Sequence, residues 1–117
     1  MKYEYYWLRN YVALNSENQV KNDLEMRTKV FNSLGIEGWE LLPSLSGKGH
    51  FCFRRPMDSS AREKIEYYWV RDFISLYSEV QIQNDMDKRS KMFNELSLNS
   101  WSLVMDDLSM FCFMKCK

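Results

Sequence analysis

The side chains in this sequence best suited to chemistry are arginines in recurring positions. Arg27 and Arg89 each sit within a helical stripe of apolar residues, and Arg9 and Arg71 each close a run of aromatics. A guanidinium presents a planar fork of donors that can hold a carboxylate or a phosphate through two parallel hydrogen bonds. At about 100° per residue, Arg27 falls within about 20° of Val20, close to the centre of the apolar face, and Arg89 is placed likewise relative to Ile82. Asp23 and Asp85 precede these arginines by four residues, the favourable acid-then-base order on a helix. Two readings follow. Each arginine is a structural partner at the edge of a core, its stem packed on aromatics, or it faces a groove ready for an anionic group. A second group, Lys48, His50, Arg54 and Arg55, surrounds the segment Ser46-Gly47-Lys48-Gly49 and is expected to form a small basic patch.

A catalytic constellation needs a nucleophile with a base, a pair of carboxylates, or metal ligands. His50 is the only histidine, and no His–Asp or Cys–His spacing accompanies it. The three cysteines are Cys52, Cys112 and Cys116; two of them lie in Phe-Cys-Phe triplets and read as small buried hydrophobes on strands. Cys112 and Cys116 share a strand face, yet a zinc site would need two more ligands. The Gly-Lys-Gly segment lacks the spacing of a phosphate-binding loop and reads as a hairpin turn. These residues point away from an enzyme, a metal or a cofactor.

The composition narrows the class further. The chain has 117 residues, 15% of them aromatic, with 16 basic and 16 acidic side chains. Gly and Pro number only 4 and 2, which argues against a disordered or low-complexity chain. A formal charge of zero weakens the case for nucleic acid, whose binding needs uncompensated Lys and Arg. Glu4 and Arg9 interrupt the N-terminal segment before a signal-peptide core can form, and no apolar run is long enough to span a membrane. An odd number of cysteines without framework spacing suits a reducing compartment, so a cytoplasmic location is expected.

These side chains are positioned by a unit that occurs twice. A shift of 62 places Glu4-Tyr5-Tyr6-Trp7 on Glu66-Tyr67-Tyr68-Trp69, and 18 of the 40 residues from 3 to 42 are identical to their counterparts. Two residues then drop out, and Phe51-Cys52-Phe53 matches Phe111-Cys112-Phe113. All four tryptophans pair, Trp7 with Trp69 and Trp39 with Trp101. The pattern divides the chain into a first repeat at 1–56, a polar linker at 57–63 and a second repeat at 64–117. The charge divides as well: the first 56 residues carry 8 basic and 6 acidic groups, net +2, and the remainder is net −2.

Each repeat reads as strand, helix, strand, strand. Residues 3–14 and 65–76 are rich in aromatic and β-branched side chains and predict long strands. One face of the first strand would carry Tyr3, Tyr5, Trp7, Arg9 and Tyr11. Ser16-Glu-Asn-Gln19 and Ser78-Glu-Val-Gln81 fit a capping box, with the Ser accepting from the third helical amide and the Gln reaching back. Val20, Leu24, Phe31 and Leu34, and their counterparts, continue at helical spacing to a left-handed cap expected at Gly35. Residues 39–45 and 50–55 predict a hairpin; in the second repeat the corresponding turn is the acidic Asp106-Asp107-Leu108-Ser109.

The segment Gly38-Trp39-Glu40-Leu41, the ending Phe51-Cys52-Phe53-Arg54-Arg55-Pro56 and the opening Tyr3-Glu4-Tyr5 resemble the domain of unknown function 4177 family. The second repeat departs from that pattern at Ser100, at Ser102 and at Met114-Lys115-Cys116. The resemblance implies a small α+β domain of bacterial or phage type and transfers no catalytic residue.

The expected fold is therefore α+β: two tandem β-α-β-β repeats forming a dimer-like, pseudo-twofold globule with an antiparallel or mixed sheet and two helices. Within each sheet the third strand should lie between the first and second, because a strand-helix-strand crossover favours parallel strands. The paired aromatics should fill the cores or the seam, and a chain that already imitates a dimer should be a monomer. The functional expectation is a non-enzymatic protein-binding module, an inhibitor or adaptor. The alternative is a small anionic ligand or nucleotide held in the seam by Arg9, Arg71, Arg27 and Arg89, and RNA binding through aromatic strands comes third.

Overall fold

A computed structural model describes residues 1–117. The chain runs β1 (Tyr3–Arg9), α1 (Glu17–Ile36), β2 (Glu40–Leu41), β3 (His50–Pro56), β4 (Ile65–Arg71), α2 (Glu79–Leu98), β5 (Ser102–Asp107) and β6 (Met110–Cys116), with 3₁₀ turns at Pro43–Leu45 and Ser59–Ala61. It is α+β, with two helices and two three-stranded sheets ordered β1-β3-β2 and β4-β6-β5. Every neighbouring pair is antiparallel, so the outer strands of each sheet run parallel with the third strand between them, as the crossover argument requires. The register repeats as well: Tyr5 faces Arg54 across β1 and β3, as Tyr67 faces Met114 across β4 and β6.

The helices begin where the serines predict. Ser16 Oγ accepts from the Gln19 amide at 3.2 Å, and Ser78 Oγ from the Gln81 amide at 3.1 Å. The glutamines do not reach back. Gln19 Nε2 donates instead to Asp23 Oδ1 at 2.7 Å, and Gln81 Nε2 to Asp85 Oδ1 at 2.8 Å. Those aspartates use their other oxygens to hold the preceding loops, through the amides of Ala13 (2.9 Å) and Ser75 (2.8 Å). Asp23 and Asp85 therefore do not pair with Arg27 and Arg89. The same loops explain why β1 and β4 stop at Arg9 and Arg71 rather than continuing to Leu14 and Leu76. The backbone turns away at Asn10 and Asp72, which are recruited by the arginines of the helices.

Gly35 is not the left-handed cap. It lies inside α1, and the positive φ falls three residues later, at Gly38 (86°) and at its counterpart Ser100 (70°). The need for glycine at 35 is close approach: a Cβ there would stand 2.0 Å from the carbonyl oxygen of Ile65. That contact belongs to the seam between the two units.

One core spans both units. Val20, Leu24, Phe31, Trp39, Leu41, Phe51 and Phe53 of the first unit pack with Ile65, Tyr67, Trp69, Met110 and Cys112 of the second. Phe31 is its centre. Its ring meets Phe51 and Phe53 edge-on at 5.1 and 5.0 Å, and Tyr67 and Trp69 edge-on at 5.5 Å each. In the register of β4 with β6, Tyr67 and Trp69 share a sheet face with Met114 and Cys112, whereas Phe111 and Phe113 face the opposite way and receive Phe93 of α2. The second sheet thus lays its back on the front of the first, beside α1, and carries α2 on its own front.

This stacking is not reciprocal, which corrects the pseudo-twofold expectation. α1 packs along β4, and α2 makes no comparable contact with β1. Five residues of α1 are buried and none of α2 is. The molecule is accordingly long, with extents of 52 × 31 × 22 Å. No helix is long and apolar enough to cross a membrane.

Candidate binding surface

The seam shows how an edge strand of this fold is satisfied. The outward amides of β4 are taken by side chains of α1: Tyr67 N donates to Asn32 Oδ1 at 2.6 Å and Trp69 N to Thr28 Oγ1 at 3.1 Å. The Tyr67 hydroxyl enters the first unit, donating to the Trp39 carbonyl at 2.8 Å and accepting from the Leu41 amide at 2.9 Å. Burial pushes its pKa up, since a phenolate there would lose its water, and the Leu41 amide opposes this only in part. Burial likewise raises the Cys112 thiol.

Arg27 joins the two units. Nε and Nη2 donate to the Asn10 side chain at 2.9 Å and the Asn10 carbonyl at 2.6 Å, and Nη1 stands 3.6 Å from Asp107 of the second unit. Its guanidinium lies over the rings of Phe51 and Trp69, at 4.8 and 4.6 Å. Desolvation lowers its pKa and the Asp107 carboxylate works against that. Asp107 also accepts from the amides of Lys48 (2.8 Å) and Gly49 (3.3 Å), so the turn of the first hairpin is fixed by an acid from the second. The expected acidic turn is thereby divided: Asp106 is exposed on β5, and Asp107 is buried.

The arginines proposed from the sequence do not converge. Arg27 is 1% exposed, with Nε and Nη2 taken by Asn10 and Nη1 turned toward Asp107 without a hydrogen bond. Arg89 is engaged by the Asp72 carboxylate and the Asp72 carbonyl within its own unit. Arg71 pairs with Glu17 at 3.0 Å across the seam, and Arg9 lies exposed over the Tyr11 ring at 4.6 Å. The basic patch also separates. Arg54 pairs with Glu40 and covers Tyr3; Arg55 pairs with Glu4 and covers Trp39. Lys48 and His50 lie at the opposite end of β3, about 13 Å away at the rise of an extended strand. The largest groove, about 620 Å³, follows the seam between α1 and β4; Lys21, Lys29, Arg71 and Trp69 line it together with Glu17 and Glu25. No group of three or more His, Cys, Asp or Glu side chains is placed to hold a metal.

Comparisons with protein-family models, curated proteins and solved structures find no match.

What stands out instead is the counterpart of the seam. β1 shares five of its seven residues and its register with β4, yet no helix covers it. Tyr5 and Trp7 are each 59% exposed, whereas Tyr67 and Trp69 are 1% and 3% exposed. The paired aromatics were expected to fill the cores or the seam; Tyr67, Trp69 and Trp39 do so, and Tyr5 and Trp7 do not. By the shared register, the amides of Tyr5 and Trp7 point away from β3, and no hydrogen bond engages them. Tyr3 lies on the same face. The edge is seven residues long, with no proline inside it and no register shift against β3. Such an edge is a template for another polypeptide unless it is blunted. The sequence identified this row of aromatics as one face of a strand; it could not reveal which copy of the row would be left open.

Proposed function

We propose that this chain is a non-enzymatic protein-binding module, an adaptor or inhibitor of the bacterial or phage type to which its domain of unknown function 4177 resemblance points. Its two units derive from a tandem duplication, and β1 is its recognition surface. The observation that carries this reading is the exposure of Tyr5 and Trp7 on an unpaired strand edge. Aromatics of this kind supply large contact area at low entropic cost, and free amides beside them offer main-chain hydrogen bonds to a partner strand or side chain.

The test is a selection of displayed polypeptides against the intact protein, followed by hydrogen exchange on the complex. Bound polypeptides should slow exchange at the Tyr5 and Trp7 amides and be lost on Trp7→Lys. Polypeptides that bind equally well to Trp7→Lys would refute the assignment, as would Trp7-dependent binding of single-stranded RNA without any polypeptide ligand.

A small anionic ligand in the seam is the second reading, and the groove holding Lys21, Lys29 and Arg71 supports it. Its three cations are offset by Glu17 and Glu25, and Arg71 is already paired, so an anion would have to displace Glu17. Thermal stabilisation by a nucleotide or metabolite that is abolished in Arg71→Met would favour it.

A further inference from the structure

We infer that the partner of the β1 surface is a second copy of this chain, docked head to tail: β1 of one copy lies against α2 of the next. This rests on the reading of β1 as a protein-binding surface and names its partner.

Continuity with the seam that already exists identifies this partner. Within one chain, the α1 side of the first unit receives β4 of the second. The α2 side of the second unit carries matching groups and receives nothing. Asn94 stands where Asn32 holds the Tyr67 amide, and Ser90 where Thr28 holds the Trp69 amide; both are exposed. Phe93 repeats the edge-on contacts of Phe31 with its own sheet, at 5.2 and 5.0 Å, and lacks the two aromatic partners that Phe31 gains across the seam. Tyr5 and Trp7 are those two partners in the other half of the repeat. Each chain therefore carries one complete junction and the two unmatched halves of another.

The halves cannot meet within one molecule. Unit two lays its back on the front of unit one, so the back of unit one and the front of unit two are the outward surfaces of the stack. A contact between unlike surfaces is heterologous; it closes into a ring when the rotation permits and otherwise continues as a filament.

Two substitutions make the second junction weaker than the first. Ser97 replaces Gly35, whose position tolerates no Cβ against the β4 backbone, so the end of α2 must stand further off. Gly47 occupies the place of Asp107 in the hairpin alignment, so the carboxylate that crosses the first seam has no equivalent, and Arg89 is matched by Asp72 of its own unit instead. The association is thus reversible and concentration-dependent.

The experiment is sedimentation or light scattering of the full chain across a concentration series. The wild type should move from 14.1 kDa to at least twice that mass. Trp7→Glu, which blocks β1, and Asn94→Lys, which blocks α2, should each remain monomeric with unchanged circular dichroism. Mixed in equal amounts, the two variants retain one good β1 and one good α2 and should form a dimer that extends no further. A wild type that stays at 14.1 kDa at every concentration overturns the inference, as does association that survives both substitutions, or a mixture that stays monomeric. Should the wild type stay monomeric while selected polypeptides still bind in a Trp7-dependent manner, self-association is refuted and the binding module stands; loss of both refutes both.

Discussion

Removing one oxygen atom from Tyr67 tests the unequal burial of the two units. In Tyr67→Phe the ring remains, and two buried backbone groups lose their partner: the Leu41 amide and the Trp39 carbonyl. A buried polar group left without a hydrogen bond costs about 1–3 kcal/mol. Leu41 is 2% exposed and Trp39 lies at the rim of the core, so the pair should cost about 2–4 kcal/mol, the carbonyl regaining some water. For a chain of this length that corresponds to a fall in Tm of roughly 8–16 °C, at about 4 °C per kcal/mol. Tyr5→Phe removes the same atom from the same place in the repeat. In dilute solution that hydroxyl faces water, and the change should stay within about 0.5 kcal/mol. Urea denaturation followed by circular dichroism, at low protein concentration, measures both. Equal losses from the two variants, or a loss under about 0.5 kcal/mol from Tyr67→Phe, would refute the description of the seam.

Other consequences are equally specific. Gly35→Ala gains about 1 kcal/mol of helix propensity but drives a Cβ into the Ile65 carbonyl, and should lose at least about 2 kcal/mol net in the same denaturation assay; Ser97→Ala should be near neutral. Asp107→Ala strips Arg27 of its only carboxylate within ion-pairing distance and frees two turn amides, for a loss of about 3–5 kcal/mol, whereas Asp106→Ala at the exposed neighbour should change stability by less than about 0.5. Stability should fall at alkaline pH. Tyr67 and Cys112 keep their protons in the folded state beyond the ordinary values of 10.0 and 9.0, so the unfolded chain releases protons first and is favoured as the pH climbs through 9 and then 10. Urea midpoints recorded from about pH 8 to 11 should show this decline, and Tyr67→Phe should remove the part above about pH 10.

Much of the fold was legible in the sequence because it depends on local patterns. The capping serines and the helical stripes follow from spacing that two copies display together, and the order of strands within each sheet from the strand-helix-strand crossover. What the sequence concealed depends on the other unit. Gly35 reads as a helix cap until the Ile65 carbonyl is seen against it. Asp107 reads as one of two turn acids until Arg27 and the Lys48 amide are found around it. Asp23 and Arg27 have ideal helical spacing, yet both are drawn to backbone on the preceding loop, Asp23 also to Gln19 of its own helix and Arg27 to Asp107 of the other unit, where fixed partners hold them better than a solvated pair would. The unequal exposure of Trp7 and Trp69 is likewise invisible to a comparison of two nearly identical strands, because it is decided by which strand follows which helix in the stack.

The most direct measurement is residue-resolved amide hydrogen exchange in dilute protein. The amides of Tyr67 and Trp69, held by Asn32 and Thr28, should be protected, while those of Tyr5 and Trp7 exchange freely. Equal protection of the two pairs in the monomer would contradict the account, because it would mean that α2 covers β1 just as α1 covers β4.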